Sequence, residues 1–406
     1  MSRLACCVLV VLAPVTVRAQ LLSPVWVELG EDGAMLARVV VLSSRDCPSL
    51  SIDGASRGME ARSPAPRGFR PVCEAMIPAG ARLATVNGRA LPLAKADPSR
   101  VAVFGDTGCR INRNEVQDCN DPAHWPFLRL AGRVSSTQPD VVIHVGDFLY
   151  REIPCPEGRQ ASCAGTPAGD NWETWNADFF TPAAPLLATT PWVFTRGNHE
   201  SCDRSWRGWF YYLDPHPWRG EVCEPMQPPY RVALGSFRLI VFDSSAAGDS
   251  LNNAQVAAFA SALASLHEDH AWLASHHPFW GLRTSDNVSQ TAAPSLTKAW
   301  RKADPQGIDL IVSGHVHLFE LLGFDHGLPP QVVAGDGGTN LAIPLNSSLR
   351  GMRLDYATIQ AGVTERQFGF TLLTRDAKVW NVTLNNLEDR ASVNCSIARH
   401  VVSCRH

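Results

Sequence analysis

Six short apolar runs, each closing on a polar residue, constrain the fold of this chain more than any other feature of it. Val101-Ala102-Val103-Phe104 runs into Gly105-Asp106, and residues 141–145 run into Gly146-Asp147. Trp192-Val193-Phe194 leads to Gly197-Asn198-His199, and residues 237–242 lead to Asp243. Residues 271–275 close on His276, and residues 310–313 on Gly314-His315. Runs of this length and content read as buried strands, and residues 125–136, 172–180, 252–266 and 294–302 read as the helices between them. The alternation predicts an α/β domain with covered sheets. In such sheets the carboxyl ends of the strands share one edge, so the terminal polar residues are expected to gather there.

The 406 residues, 45% hydrophobic and 18% charged, suit a globular protein with room for one large domain and a small one. A net charge of -3 with scattered basic residues provides no electrostatic case for binding nucleic acid or anionic membranes. Residues 20–98 read as short strands broken by turns such as Asp53-Gly54 and Asn87-Gly88, which predicts a small all-β, sandwich-like domain. The large α/β domain is expected over 99–385, and 386–406 as a tail closed by a disulfide.

Residues 1–19 read as a signal peptide: Arg3, an apolar run from Leu4 to Val15, then Val17-Arg18-Ala19 before Gln20. A buried N-terminal core helix is the competing reading. The run is short for a bilayer span, and no later segment reaches spanning length. Of 12 cysteines, Cys6 and Cys7 leave with that peptide, and the even remainder suggests sequential disulfides: 47–73, 109–119, 155–163, 202–223 and 395–404. Zinc is the alternative, but no C-x-x-C knuckle occurs. Together these features predict a secreted or periplasmic protein. Asn287, Asn346, Asn381 and Asn394 stand in glycosylation sequons.

Taken singly, the polar strand ends have plain structural readings. Asp106 and Asp147 could be helix caps or turn residues, and Asn198-His199 a turn beside a core histidine. Gly314-His315-Val316-His317 carries more, because alternate residues of an extended segment share a face and two imidazoles could approach one point.

The order of the blocks is more specific than any one of them. Gly105-Asp106, Gly146-Asp147, Gly197-Asn198-His199-Glu200, His276-His277-Pro278 and Gly314-His315-Val316-His317 in succession resemble the calcineurin-like metallophosphoesterase superfamily over roughly residues 100–340. The resemblance implies a four-layer α-β-β-α sandwich. The first block, Asp106-Thr107-Gly108, lacks the Asp-x-His of many members, while Tyr150 follows Asp147 by three residues. That exchange is similar to the purple acid phosphatase branch, where a tyrosinate binds ferric iron, a hard oxygen on a hard ion.

Carried over, the resemblance implies Fe(III) at Asp106, Tyr150 and His317, and a divalent ion (Fe, Zn or Mn) at Asn198, His276 and His315, with Asp147 bridging. It implies hydrolysis of a small-molecule phosphate ester by water activated between two cations about 3.5–4 Å apart. His199 would stabilise the phosphoryl charge or protonate the leaving group, and Arg151 would bind phosphate, as an arginine does in related serine/threonine phosphatases. Glu200 either orients His199 or lies solvated in a loop, and Gly335-Asp336-Gly337-Gly338 either offers N–H groups to an anion or makes a tight turn. His277 and His144 read as packing residues, and the tryptophans at 172, 175, 206, 209, 218 and 280 as pocket walls or as core for the inserted loops.

A phosphomonoesterase is favoured, with a phosphodiesterase as the alternative, because the further histidine usual after His-x-Pro in acid phosphatases is missing from 280–289. A protein serine/threonine phosphatase is encouraged by Arg196-Gly197-Asn198-His199-Glu200 and discouraged by export and the absent Asp-x-His. A non-catalytic secreted binding protein that keeps the ions for structure is the reading outside enzymes.

Overall fold

Side chains in the strand Arg100–Phe104 split into two sets: Val101 and Val103 enter one core, Ala102 and Phe104 another. That period of two is what a strand covered on both faces requires. Val141 and Ile143 separate from Val142 in the same way, Leu239 and Val241 from Ile240 and Phe242, and Leu310 and Val312 from Ile311. Three apolar layers result. The central one lies between two sheets. A second covers the outer face of the first sheet with the helices Phe127–Ser136 and Thr181–Leu187, and a third covers the other sheet with Asn253–Ala264 and Pro294–Ala303. The helix Phe127–Ser136 buries Phe127, Leu130, Ala131 and Val134, the spacing of one helical face. Asn252 starts Asn253–Ala264 by accepting the N–H groups of Ala254 and Gln255 at 2.9 and 3.2 Å.

The computed structural model describes residues 20–285, 288–344, 348–388 and 390–405. Residues 1–19 and the sequons at Asn287 and Asn346 lie outside them, while Asn381 and Asn394 are exposed. Among the described residues, the first sheet has eleven strands and the second eight. In the first, Arg100–Phe104, Val141–His144 and Trp192–Phe194 run parallel. In the second, Phe237–Phe242, His267–Ser275, Gln306–Ser313 and Gln331–Ala334 do so. This is the four-layer α-β-β-α sandwich expected, with an all-β N-terminal region. The five sequential disulfides are formed. Among the described residues no helix is long and apolar enough to cross a membrane.

Strand pairing crosses the expected boundary at residue 98. Trp26–Leu29 pairs in parallel with Trp192–Phe194, and Met35–Val40 and Val72–Ile77 continue the eleven-stranded sheet. The separate part of the N-terminal region is the four-stranded sheet of Ser49–Ile52, Ala55–Gly58, Ala84–Val86 and Arg89–Ala90. At the far edge Ala391–Ala398 and Val401–Arg405, joined by Cys395–Cys404, are strands of the same large sheet. An uncovered edge at Trp192–Phe194 would leave ladder N–H and C=O groups unpaired, and the N-terminal strands take them up. Composition changes at residue 98; the sheet does not.

Candidate metal centre

Immediately after their strands, Asp106, Asp147 and His315 adopt φ of +56°, +58° and +69°. Such left-handed backbone is uncommon outside glycine and gathers at functional sites. A dense web of backbone hydrogen bonds holds it. Asp106 N–H donates to Gly146 O at 2.9 Å, and His315 N–H to Asp106 Oδ2 at 2.9 Å. His199 N–H donates to Asp147 Oδ1 at 2.9 Å. The Glu200 carboxylate accepts the N–H groups of Asp147, Phe148, Leu149 and Gly197 at 2.9–3.3 Å. The glycines of these blocks are required by close approach: a Cβ on Gly197 would lie 2.1 Å from Asp147 Oδ1, and one on Gly314 would lie 2.5 Å from Asp106 Oδ2.

Two donor sets meet at this edge. Tyr150 Oη lies 2.7 Å from Asp147 Oδ2, 2.9 Å from Asp106 Oδ1 and 3.1 Å from His317 Nε2. One phenolic proton serves a single acceptor at a time, whereas a cation at that point would be met by all four groups. His317 Nδ1 faces Asn340 O at 3.0 Å, which puts its proton there and turns the Nε2 lone pair toward Tyr150. In the second set Asn198 Oδ1 lies 3.0 Å from His276 Nε2 and 3.1 Å from His315 Nδ1. His276 Nδ1 donates to Val145 O at 2.8 Å, again freeing Nε2. Asp147 Oδ2 is 3.2 Å from His276 Nε2, so a single carboxylate oxygen touches both sets. Oxygen donors dominate the first set and imidazoles the second, so the residues fit a harder ion beside a softer one.

The buried charges at this edge act on one another. Burial, reinforced by Asp106 and Asp147, pushes the Tyr150 phenol well above its ordinary pKa. Burial also opposes the charge on Asp147, yet His276 and His199 hold its carboxyl well below the usual carboxylate range. Burial works against protonated His276, and Asp147 overcomes it, raising the imidazole to about 9.

A cavity of about 340 Å³ opens over these groups, and Asp147, Asn198, His199, His315 and His317 line it together with Arg110 and Arg204. His199 lies against the Tyr150 ring with centroids 3.8 Å apart. Its Nδ1 is 3.0 Å from Glu152 Oε1, and Glu152 is also 3.6 Å from an Arg204 nitrogen. Burial lowers the His199 pKa against the pull of Asp147 and Glu152. The carboxylate beside His199 is therefore Glu152, while Glu200 is spent on backbone N–H groups.

Arg151 is not brought to the cavity. Its Nε lies 2.5 Å from Asp178 Oδ1 and its guanidinium lies over the Trp125 ring, and it is not among the described residues that line the cavity. Asp178 is fully buried and needs a cationic partner, which Arg151 supplies. Arg110, passed over in the sequence, stands over the Tyr150 ring at 4.7 Å with Nη2 3.3 Å from His317 Nε2. Gly335 and Gly337 donate their N–H groups to the carbonyls of Leu318 and Gly105, so those two N–H groups are not offered to an anion. His144 sits between Thr107 Oγ1 and Gly146 N–H and stacks on Phe148, while His277 bonds Ser244. Trp172, Trp175, Trp206, Trp209 and Trp280 pack in the outer cores; none of the six tryptophans lines this cavity.

A family model described as calcineurin-like phosphoesterase matches residues 99–319, more than half of the chain. The chain belongs to that family. As a phosphoesterase fold it superposes on the purple acid phosphatase PPD1 isolated from yellow lupin (Lupinus luteus) seeds with a TM-score of 0.61 at 15% identity, covering 92% of this chain and 74% of that one. PhoD superposes with a TM-score of 0.57 at 10% identity, covering 97% of this chain and 94% of that one. At such identities the likeness is one of fold. No curated protein sequence matches the phosphoesterase significantly.

Proposed function

We propose that this phosphoesterase is an exported two-metal hydrolase of small phosphate monoesters, of the purple acid phosphatase kind. The observation that carries the reading is the Tyr150 phenol shared among Asp106, Asp147 and His317. Asp106, Tyr150 and His317 would hold Fe(III), Asn198, His276 and His315 a divalent ion, and Asp147 both. Ions bound there supply Lewis-acid charge and make a water acidic enough to act as nucleophile near neutral pH.

The protein's own groups do the rest. With the Glu152 carboxylate 3.0 Å from Nδ1, a proton on that nitrogen would be favoured, leaving Nε2, 3.9 Å from Asp147 Oδ2, for the reacting groups. Protonated at Nε2, it would donate to the departing ester oxygen. Arg110 and Arg204 bring positive charge to the phosphoryl oxygens, which favours a monoester over a diester because the monoester carries more charge. Five disulfides support an oxidising destination, secreted or periplasmic.

The test is an assay of the oxidised protein on a chromogenic monoester and the matching bis-ester, across pH, with metal-stripped protein and Asp147→Ala as controls. Metal-dependent turnover with monoester preference is expected. Full activity in either control would reject the two-metal reading, and a bis-ester preference would reassign the substrate. In the same preparation a visible phenolate-to-iron band should vanish in Tyr150→Phe; a band that persists would move the phenolate elsewhere.

A further inference from the structure

The cavity over the ligand sets has two kinds of wall. Arg110, Arg204 and His199 are cationic or proton-bearing groups suited to a phosphoryl anion. Among the described residues the rest of the lining, apart from the ligands and Asp249, is Leu282, Val316, Ala342 and Ile343. Leu282 and Val316 are almost wholly buried and belong to the cores beneath, so their contribution is a fixed apolar floor. Ala342 is tied to the ligand segment, its N–H donating to His317 O at 2.8 Å. Ile343 beside it is 71% exposed, the most exposed large apolar side chain of the described residues.

A single exposed isoleucine means little on an ordinary surface. This one borders the same cavity as His199 and His317, continuous with three other apolar residues, where a bound molecule would cover it. Once the phosphoryl end is held by the ions and arginines, the ester's other end faces this wall. Among the described residues, a sugar or polyol there would find one further polar side chain, Asp249, beside aliphatic carbon, and would lose hydrogen bonds to water that those residues cannot replace. A volume near 340 Å³ is at the small end for ligand sites and suits a phosphoryl group with one ring or a short chain.

From this we infer that the substrates are phosphate monoesters whose leaving group is apolar, an alkyl or aryl alcohol, with Ile343 selecting it. The inference rests on the monoesterase reading above and deepens it. Neither Ile343 nor Ala342 belongs to the ligand sets or the proton-bearing groups, so substituting Ile343 leaves the chemistry in place.

Binding separates the two readings, because non-hydrolysable phosphonates report recognition without turnover. With metal-loaded protein, calorimetry would compare n-hexylphosphonate with an ether-chain phosphonate of equal length. The hexyl compound should bind about tenfold or more tightly, since each buried methylene contributes. Ile343→Ser should bring the two within about threefold while leaving methylphosphonate binding unchanged; so exposed a position should tolerate the change without unfolding. Equal affinities in the wild type, or a preference intact in Ile343→Ser, would overturn the inference. Kinetics on the corresponding phosphate esters should show the same order, even though the ether alcohol is the better leaving group. Tight hexylphosphonate binding with no ester hydrolysed would instead sink the catalytic reading and leave the apolar wall standing.

Discussion

His199 has two nitrogens in unlike surroundings, one 3.0 Å from Glu152 and the other 3.9 Å from Asp147 Oδ2. If it transfers a proton, His199→Ala should keep both metals and lower kcat by about 10²–10⁴-fold. Glu152→Gln removes the charge that holds the imidazole and should cost kcat about tenfold with metal content unchanged. Metal analysis beside kcat checks both, and an unchanged rate in His199→Ala would make the residue structural. Glu152 was hard to find in the sequence because its partner lies in another block, beyond an inserted disulfide loop. The arginines teach the same lesson. Arg151 has the motif position, but buried Asp178 claims it, and Arg110 reaches the cavity from 207 positions before its histidine neighbour.

At the scale of elements, the N-terminal strands do more than extend a sheet. Arg62, just after Glu60–Ala61, donates to the carbonyls of Asp214, Phe210 and His216 at 3.0, 3.3 and 2.5 Å. Arg38, within Met35–Val40, donates to Tyr212 O and Asp214 O at 3.1 and 2.9 Å and pairs with Glu28 at 2.6 Å. The clamped segment lies in the loop closed by Cys202–Cys223, which also carries the cavity residue Arg204. Arg62→Met keeps most of the volume but strips buried carbonyls of donors, at about 1–3 kcal/mol each. Urea unfolding should show a loss of about 3 kcal/mol; an unmoved midpoint would mean the clamp contributes nothing.

For the molecule as a whole, stability should depend on pH through carboxyls buried far from water. Glu320 is the cleanest case. Burial raises it to about 8 against the help of one N–H, from Leu282 at 3.0 Å. The folded state therefore keeps a proton that the unfolded chain releases near 4.5. Between those values the native state binds more protons, so this contribution is whole below the unfolded value and is lost as pH rises through about 8. Glu320→Gln is neutral throughout. Relative to wild type it should gain stability from pH 5 to pH 9, by roughly 3–5 kcal/mol at the upper end. Glu28 and Glu200, also raised to about 8 by burial, titrate in both proteins, so the difference between them isolates Glu320. Unfolding curves that stay parallel across pH would reject the assignment.

What the sequence determined by itself is local. Alternation of side chains along Arg100–Phe104 or Phe237–Phe242 sets which faces are covered, because strand geometry turns a period of two into two sides. Cysteines separated by 8 to 26 positions pair with their neighbours, because short loops close readily. The polar strand ends were legible as a group, because parallel strands deliver their carboxyl ends to one edge. Tertiary structure decided the rest: which edge received Trp26–Leu29, which carboxylate met His199, and which arginine reached the cavity. Those choices are set by pairing charges and backbone groups where water is excluded, between residues whose proximity no local pattern records.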